Sequence, residues 1–149
     1  MRNILEYLIK HSEKIAFAES MTGGALAAKF IENKNASLAL SESFVLYSNE
    51  AKIRYLNISP ELIKQKGVVS SDVAHDMAKN LHLVTNADLC VATTGYAEGM
   101  NPNKCYIGIY YKGHIYIDKV EFLKDKTRKE NIDTTVSYIF DLISKTLKI

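Results

Sequence analysis

The sequence predicts an α/β fold, a three-layer α/β/α sandwich around a mixed, mostly parallel sheet. Three observations carry that prediction. Short runs of apolar or β-forming residues recur along the chain, at Ile15 to Ala18, Ser43 to Tyr47 and Leu89 to Ala92. Turn and helix-cap residues follow each run, and the segments between them have helical periodicity. Two later runs, Tyr106 to Tyr111 and His114 to Phe122, are joined by Lys112-Gly113 and read as a hairpin, which makes the sheet mixed.

Taken in order, Ile4, Leu5, Leu8 and Ile9 share one face of an opening amphipathic helix. Ile15 to Ala18 is a buried strand that stops at Glu19-Ser20-Met21-Thr22-Gly23-Gly24, after which Ala25 to Ile31 is helical. The second strand, Ser43 to Tyr47, precedes a helix capped by Ser48 or Asn49 with Glu50 in its first turn. Pro60 opens a short helix through Lys66, and Gly67 ends it. Ser70 or Ser71 caps a helix whose Val73, Ala74, Met77, Ala78 and Leu81 form one buried stripe. Leu89 to Ala92 suits a strand covered on both faces and ends at Gly95. Ile132, Val136, Ile139, Phe140, Ile143 and Leu147 mark a long closing helix.

A chain of 149 residues fits one domain, residues 1–149, and the sequence contains no linker or internal repeat. Its net charge of +2 is too small to argue for the dense basic surface of a nucleic-acid-binding domain, so no nucleic-acid partner is expected. No stretch reaches the roughly 20 apolar residues of a membrane span, and the first 13 residues lack a signal-peptide core, so a cytoplasmic protein is expected. Cys90 and Cys105 form no CxxC pair and read as buried free thiols. The four histidines show no metal-ligand spacing, so neither a metal nor another cofactor is expected.

In such sheets ligands sit at the loops beyond the carboxyl ends of the strands, where Ser20, Tyr47 and Thr94 all fall. The turn at Ser20 puts hydroxyls and glycines at a helix start, whose backbone N–H groups suit an anion or the oxyanion of acyl transfer. A capped helix behind a tight turn explains the same residues. Lys52 stands in the first turn of its helix, where the dipole and partial burial both favour the neutral amine, a base able to take a proton from serine. An isolated lysine there is otherwise a solvated surface residue. Arg128, before the last helix, can grip a phosphate in a forked geometry. Glu19 and Glu50 flank the turns and could form a hydrolytic carboxylate pair, although cap and surface roles are commoner for such residues.

Ala18-Glu19-Ser20-Met21-Thr22-Gly23-Gly24, Tyr47-Ser48-Asn49-Glu50-Ala51-Lys52, Gly67-Val68-Val69-Ser70 and Thr94-Gly95, in this order and spacing, resemble the CinA carboxy-terminal family. The resemblance runs from about Lys14 to the final helix. It implies hydrolysis of nicotinamide mononucleotide to nicotinic acid mononucleotide and ammonia, with Ser20 as nucleophile, Lys52 as its base and Tyr47 assisting proton movement. It further implies that Thr22, Gly23, Gly24, Asn49, Thr94, Gly95 and Arg128 bind a small-molecule nucleotide, without metal, and that the protein is a homo-oligomer resembling the stand-alone form of the family. Four features depart from the family pattern: Met21 replaces a cysteine, the loop from Tyr96 to Asn103 is altered and includes Glu98, Lys104-Cys105-Tyr106-Ile107-Gly108 replaces a shorter Lys-Pro-Val-Gly pattern, and Ile132 replaces an arginine. These departures keep two other readings open, a non-catalytic nucleotide-binding module and an amidase acting on another small amide.

Overall fold

Short polar side chains start most of the helices, and left-handed residues stop them. In the computed structural model, which describes residues 1–99 and 103–149, the chain opens with α1 (Arg2–His11) and β1 (Ile15–Glu19). It continues through α2 (Ala25–Ile31), a 3-10 turn at Ala36–Leu38, and β2 (Leu40–Val45). Three helices follow, α3 (Asn49–Leu56), α4 (Pro60–Lys66) and α5 (Ser71–Thr85). β3 (Leu89–Gly95), the hairpin β4 (Lys104–Tyr111) and β5 (His114–Glu121), and α6 (Arg128–Leu147) complete the order. The altered-loop residues Met100, Asn101 and Pro102 lie outside the described residues.

Each cap satisfies a backbone donor that the helix leaves unpaired. Ser48 is the cap of α3, its hydroxyl accepting from the Ala51 N–H, and Ser70 is the cap of α5, accepting from the Val73 N–H. Thr127 and Glu130 form a reciprocal capping box at α6. Ser12, Asn57 and Asn86 end α1, α3 and α5 in the left-handed conformation.

The sheet has the order β2-β1-β3-β4-β5. β1 is parallel to both β2 and β3, β4 runs antiparallel to β3, and β5 antiparallel to β4. Alternation along the strands sorts side chains into two layers. Ile15, Phe17, Leu89, Val91, Ile107 and Ile109 pack with Ile4, Leu8, Phe30, Ile139 and Ile143 of α1, α2 and α6. On the other face Ala16, Ala18, Cys90 and Ala92 meet Leu56 of α3 and Val73, Met77 and Leu81 of α5. That face is built from small residues, so α5 lies close to the sheet. A Cβ at Gly108 of β4 would collide with the Ala74 carbonyl oxygen of α5.

β2 differs from the expected Ser43 to Tyr47: it begins at Leu40 and ends at Val45. It is an edge strand with Ser41, Glu42, Ser43 and Val45 exposed, so it lacks the apolar run by which buried strands are read. No helix among the described residues is long and apolar enough to cross a membrane.

Candidate active site

Parallel pairing of β1 with β2 brings Ser20 and Lys52, 32 positions apart in sequence, to the same edge. The last pair in the register is Glu19 with Val45, and the Leu46 N–H then donates to the Glu19 carbonyl at 2.7 Å. Ser20 emerges from β1 at this point, while the chain after β2 turns into α3 and returns Lys52 toward it. β3, on the other side of β1, delivers Thr93 and Thr94 to the same edge.

Lys52 Nζ lies 3.0 Å from Ser20 Oγ and donates to the Leu46 carbonyl at 2.9 Å. The lysine is only 1 % exposed, and none of the ion pairs among the described residues includes it. Burial disfavours its charged form and lowers its pKa from 10.5 to about 8. Burial is thus the cause of the shift, beyond the position in the first helical turn. When the amine is neutral, the hydrogen bond to Ser20 runs the other way, with the hydroxyl donating to nitrogen. This is the arrangement a serine nucleophile and its base require.

Two residues outside the expected catalytic and binding set hold Ser20 in place. Its N–H donates to Thr93 Oγ1 at 3.1 Å, and Thr93 is fully buried. Glu19 is also fully buried, and its carboxylate accepts from the N–H groups of Gly24, Leu26 and Ala27, each at 3.0 Å. A carboxylate receiving three backbone donors at a helix start is a clamp. The Glu19 and Glu50 pair considered from the sequence is therefore not formed, because Glu19 is committed beneath the turn while Glu50 is exposed on α3.

A cleft of 260 Å³ opens above the pair, with Ser20, Lys52, Tyr47 and Asn49 on one side. Thr94, Gly95 and Arg128 also line it, as do Met21, Val68, Val69 and Glu98, which were not expected as binding residues. Thr22, Gly23 and Gly24 are not among its walls. Thr22 is buried with its hydroxyl 3.3 Å from that of Thr93, and the Gly23 N–H donates to the Ser20 carbonyl. Gly23 and Gly24 have φ of 59° and 99°, values that favour glycine, so these residues shape the turn beneath Ser20. Thr94 donates its hydroxyl to the Val68 carbonyl at 2.6 Å, tying β3 to the segment before α5. Tyr47 is 60 % exposed at the rim, and its hydroxyl accepts from Arg128 Nη2. Arg128 Nη1 reaches Glu98 Oε1 at 3.3 Å.

The two cysteine thiols are unsuited to nucleophilic chemistry. Burial pushes the thiols of Cys90 and Cys105 up to about 12, so both stay protonated and inert at neutral pH. Among the described residues no group of three or more His, Cys, Asp or Glu side chains could hold a metal ion.

The pattern of the CinA C-terminal domain matches residues 1–147. The chain belongs to this family. A protein of Finegoldia magna provisionally named competence-damage inducible protein is 36 % identical over 129 residues, covering 87 % of this CinA domain and 32 % of the relative. A CinA-like protein of Dictyoglomus thermophilum is 35 % identical over 131 residues, covering 84 % and 32 %. The chain thus spans about a third of the length of these curated relatives. The crystal structure of a competence damage-inducible protein from Klebsiella pneumoniae superposes with a TM-score of 0.92 at 22 % identity, covering 99 % of this chain and 94 % of that one, a likeness of fold. That of a competence/damage inducible protein from Agrobacterium tumefaciens gives 0.89 at 25 % identity, covering 95 % and 90 %.

Proposed function

We propose that this CinA domain is a serine–lysine amidohydrolase that converts nicotinamide mononucleotide to nicotinic acid mononucleotide and ammonia. The observation that carries the reading is the buried contact of 3.0 Å between Ser20 Oγ and Lys52 Nζ. In the acylation step Ser20 Oγ attacks the amide carbon while its proton passes to neutral Lys52. The Lys52 ammonium then gives that proton to the departing nitrogen, the C–N bond breaks, and an ester to Ser20 remains. Water attacks the ester with Lys52 again taking a proton, and the C–O bond to Ser20 breaks as its hydroxyl is restored.

Negative charge on the carbonyl oxygen needs backbone donors. The N–H groups of Gly23 and Gly24 are committed to Ser20 and Glu19, so the donor in the turn that suits this role is that of Met21, which lines the cleft. Asn49 and Thr94 would contact the substrate, and Arg128 would meet its phosphate. Tyr47 would assist proton movement from the rim of the cleft, where its hydroxyl accepts from Arg128 Nη2. The partner in this reading is a small nucleotide; nucleic acid and membrane have no role, and a homo-oligomer is the proposed assembly.

Purified protein is expected to release ammonia from nicotinamide mononucleotide, and Ser20→Ala or Lys52→Ala to abolish the release while circular dichroism shows each variant folded. Release that survives both substitutions refutes the mechanism. Glu98 in the cleft favours a second reading, an amidase for a less anionic amide, which a substrate panel distinguishes. Calorimetric binding of the nucleotide without turnover would instead mark a binding module.

A further inference from the structure

We propose that Glu98 sets the charge selectivity of the cleft by competing with a ligand's anionic group for Arg128. The inference rests on the amidohydrolase reading and deepens it. Glu98 is the one carboxylate among the described residues lining the cleft, and it is paired with a guanidinium that stays charged at any working pH. The other cation of the lining, Lys52, is buried beside Ser20 and shifted toward its neutral form. An anionic ligand group therefore finds its permanent positive charge at Arg128, where Glu98 already lies.

The geometry makes this contact exchangeable. Both side chains remain open to water, Arg128 at 39 % and Glu98 at 61 % exposure, and pairs of this kind are weak. Tyr47 accepts from Nη2, so the guanidinium keeps one anchor while the partner of Nη1 is replaced. A phosphate dianion, with more charge and a bidentate fit, displaces a single carboxylate oxygen. Breaking the Glu98 contact is a cost met only by a ligand group that takes its place on Arg128. The cleft consequently discriminates less in favour of phosphorylated ligands than Arg128 alone would.

The test compares Glu98→Gln with wild type, using nicotinamide mononucleotide and the nucleoside that lacks the phosphate. Glutamine retains the size and removes the charge. The expected result is a rise of about two- to fivefold in the ratio of kcat/KM for nucleotide over nucleoside, the range of one exposed ion pair. In an Arg128→Ala background the same substitution leaves the ratio unchanged. An unchanged ratio with Arg128 present, or a gain that persists without it, overturns the inference. If wild type hydrolyses neither compound, the amidohydrolase reading fails separately, and calorimetric titration with inorganic phosphate decides the role of Glu98. Tightening of about two- to fivefold in Glu98→Gln supports it, and equal affinities overturn it.

Discussion

Replacing Lys52 by methionine removes the buried ionisable group while keeping a long side chain in its slot. Burial holds the amine at about 8, against 10.5 for an exposed lysine. Between these values the unfolded chain binds more protons than the folded one, so wild-type stability rises with pH across this window. Below about pH 8 the folded state carries the full cost of the buried ammonium, about 3 kcal/mol. From about pH 7 to about pH 10, wild type should gain about 2.5 kcal/mol relative to Lys52→Met. The variant also loses the contacts to Ser20 and the Leu46 carbonyl, which changes stability by an amount that does not depend on this titration. That loss displaces the curve without tilting it. Urea unfolding of both proteins across the pH range measures the tilt. Parallel stability curves would show that the amine titrates like an exposed lysine and would remove the physical basis for its role as a base.

Three further outcomes follow from the site and one from the core. With Lys52 as base, kcat/KM for ammonia release should rise about tenfold per pH unit until about pH 8 and then level off, while Lys52→Arg shows no activity across the range. Thr93→Val leaves the buried Ser20 N–H without its acceptor; we expect a stability loss of about 1–3 kcal/mol in urea unfolding, with kcat falling more than KM rises. In Gly95→Ala the new Cβ would stand 2.6 Å from Met21 Sδ and 2.8 Å from Cys105 Cα, where backbone cannot yield cheaply. Differential scanning calorimetry should register a loss of about 1–3 kcal/mol. Cys90 and Cys105 should resist an aromatic disulfide reagent in the native protein and react when it is unfolded in urea, as buried thiols held near 12 require.

The meeting of Ser20 and Lys52 was legible because each follows a strand, and neighbouring parallel strands deliver their following loops to one edge. The caps at Ser48 and Ser70 were legible for a similar reason: each satisfies a donor only a few residues away. Long-range commitments were not. The sequence around Glu19 does not reveal that its carboxylate folds beneath the turn to collect three N–H groups, so Thr22, Gly23 and Gly24 read as cleft residues when they are its underpinning. Nor does any local pattern join Tyr47 to Arg128 across 81 positions. β2 was misplaced because an edge strand alternating with exposed serine and glutamate carries little apolar signal.

The contact at Gly108 constrains how this molecule can admit anything. With the α5 backbone seated on β4, and Thr94 tethered to the segment that leads into α5, the strand bearing the threonines and the helix behind it form a single rigid block. Ser20 is fastened to that block through Thr93. Access must then come from the solvent side, where Arg128 is joined to Glu98 and to Tyr47. The doorway is made of polar side chains that can swing, and the chamber behind it keeps its shape.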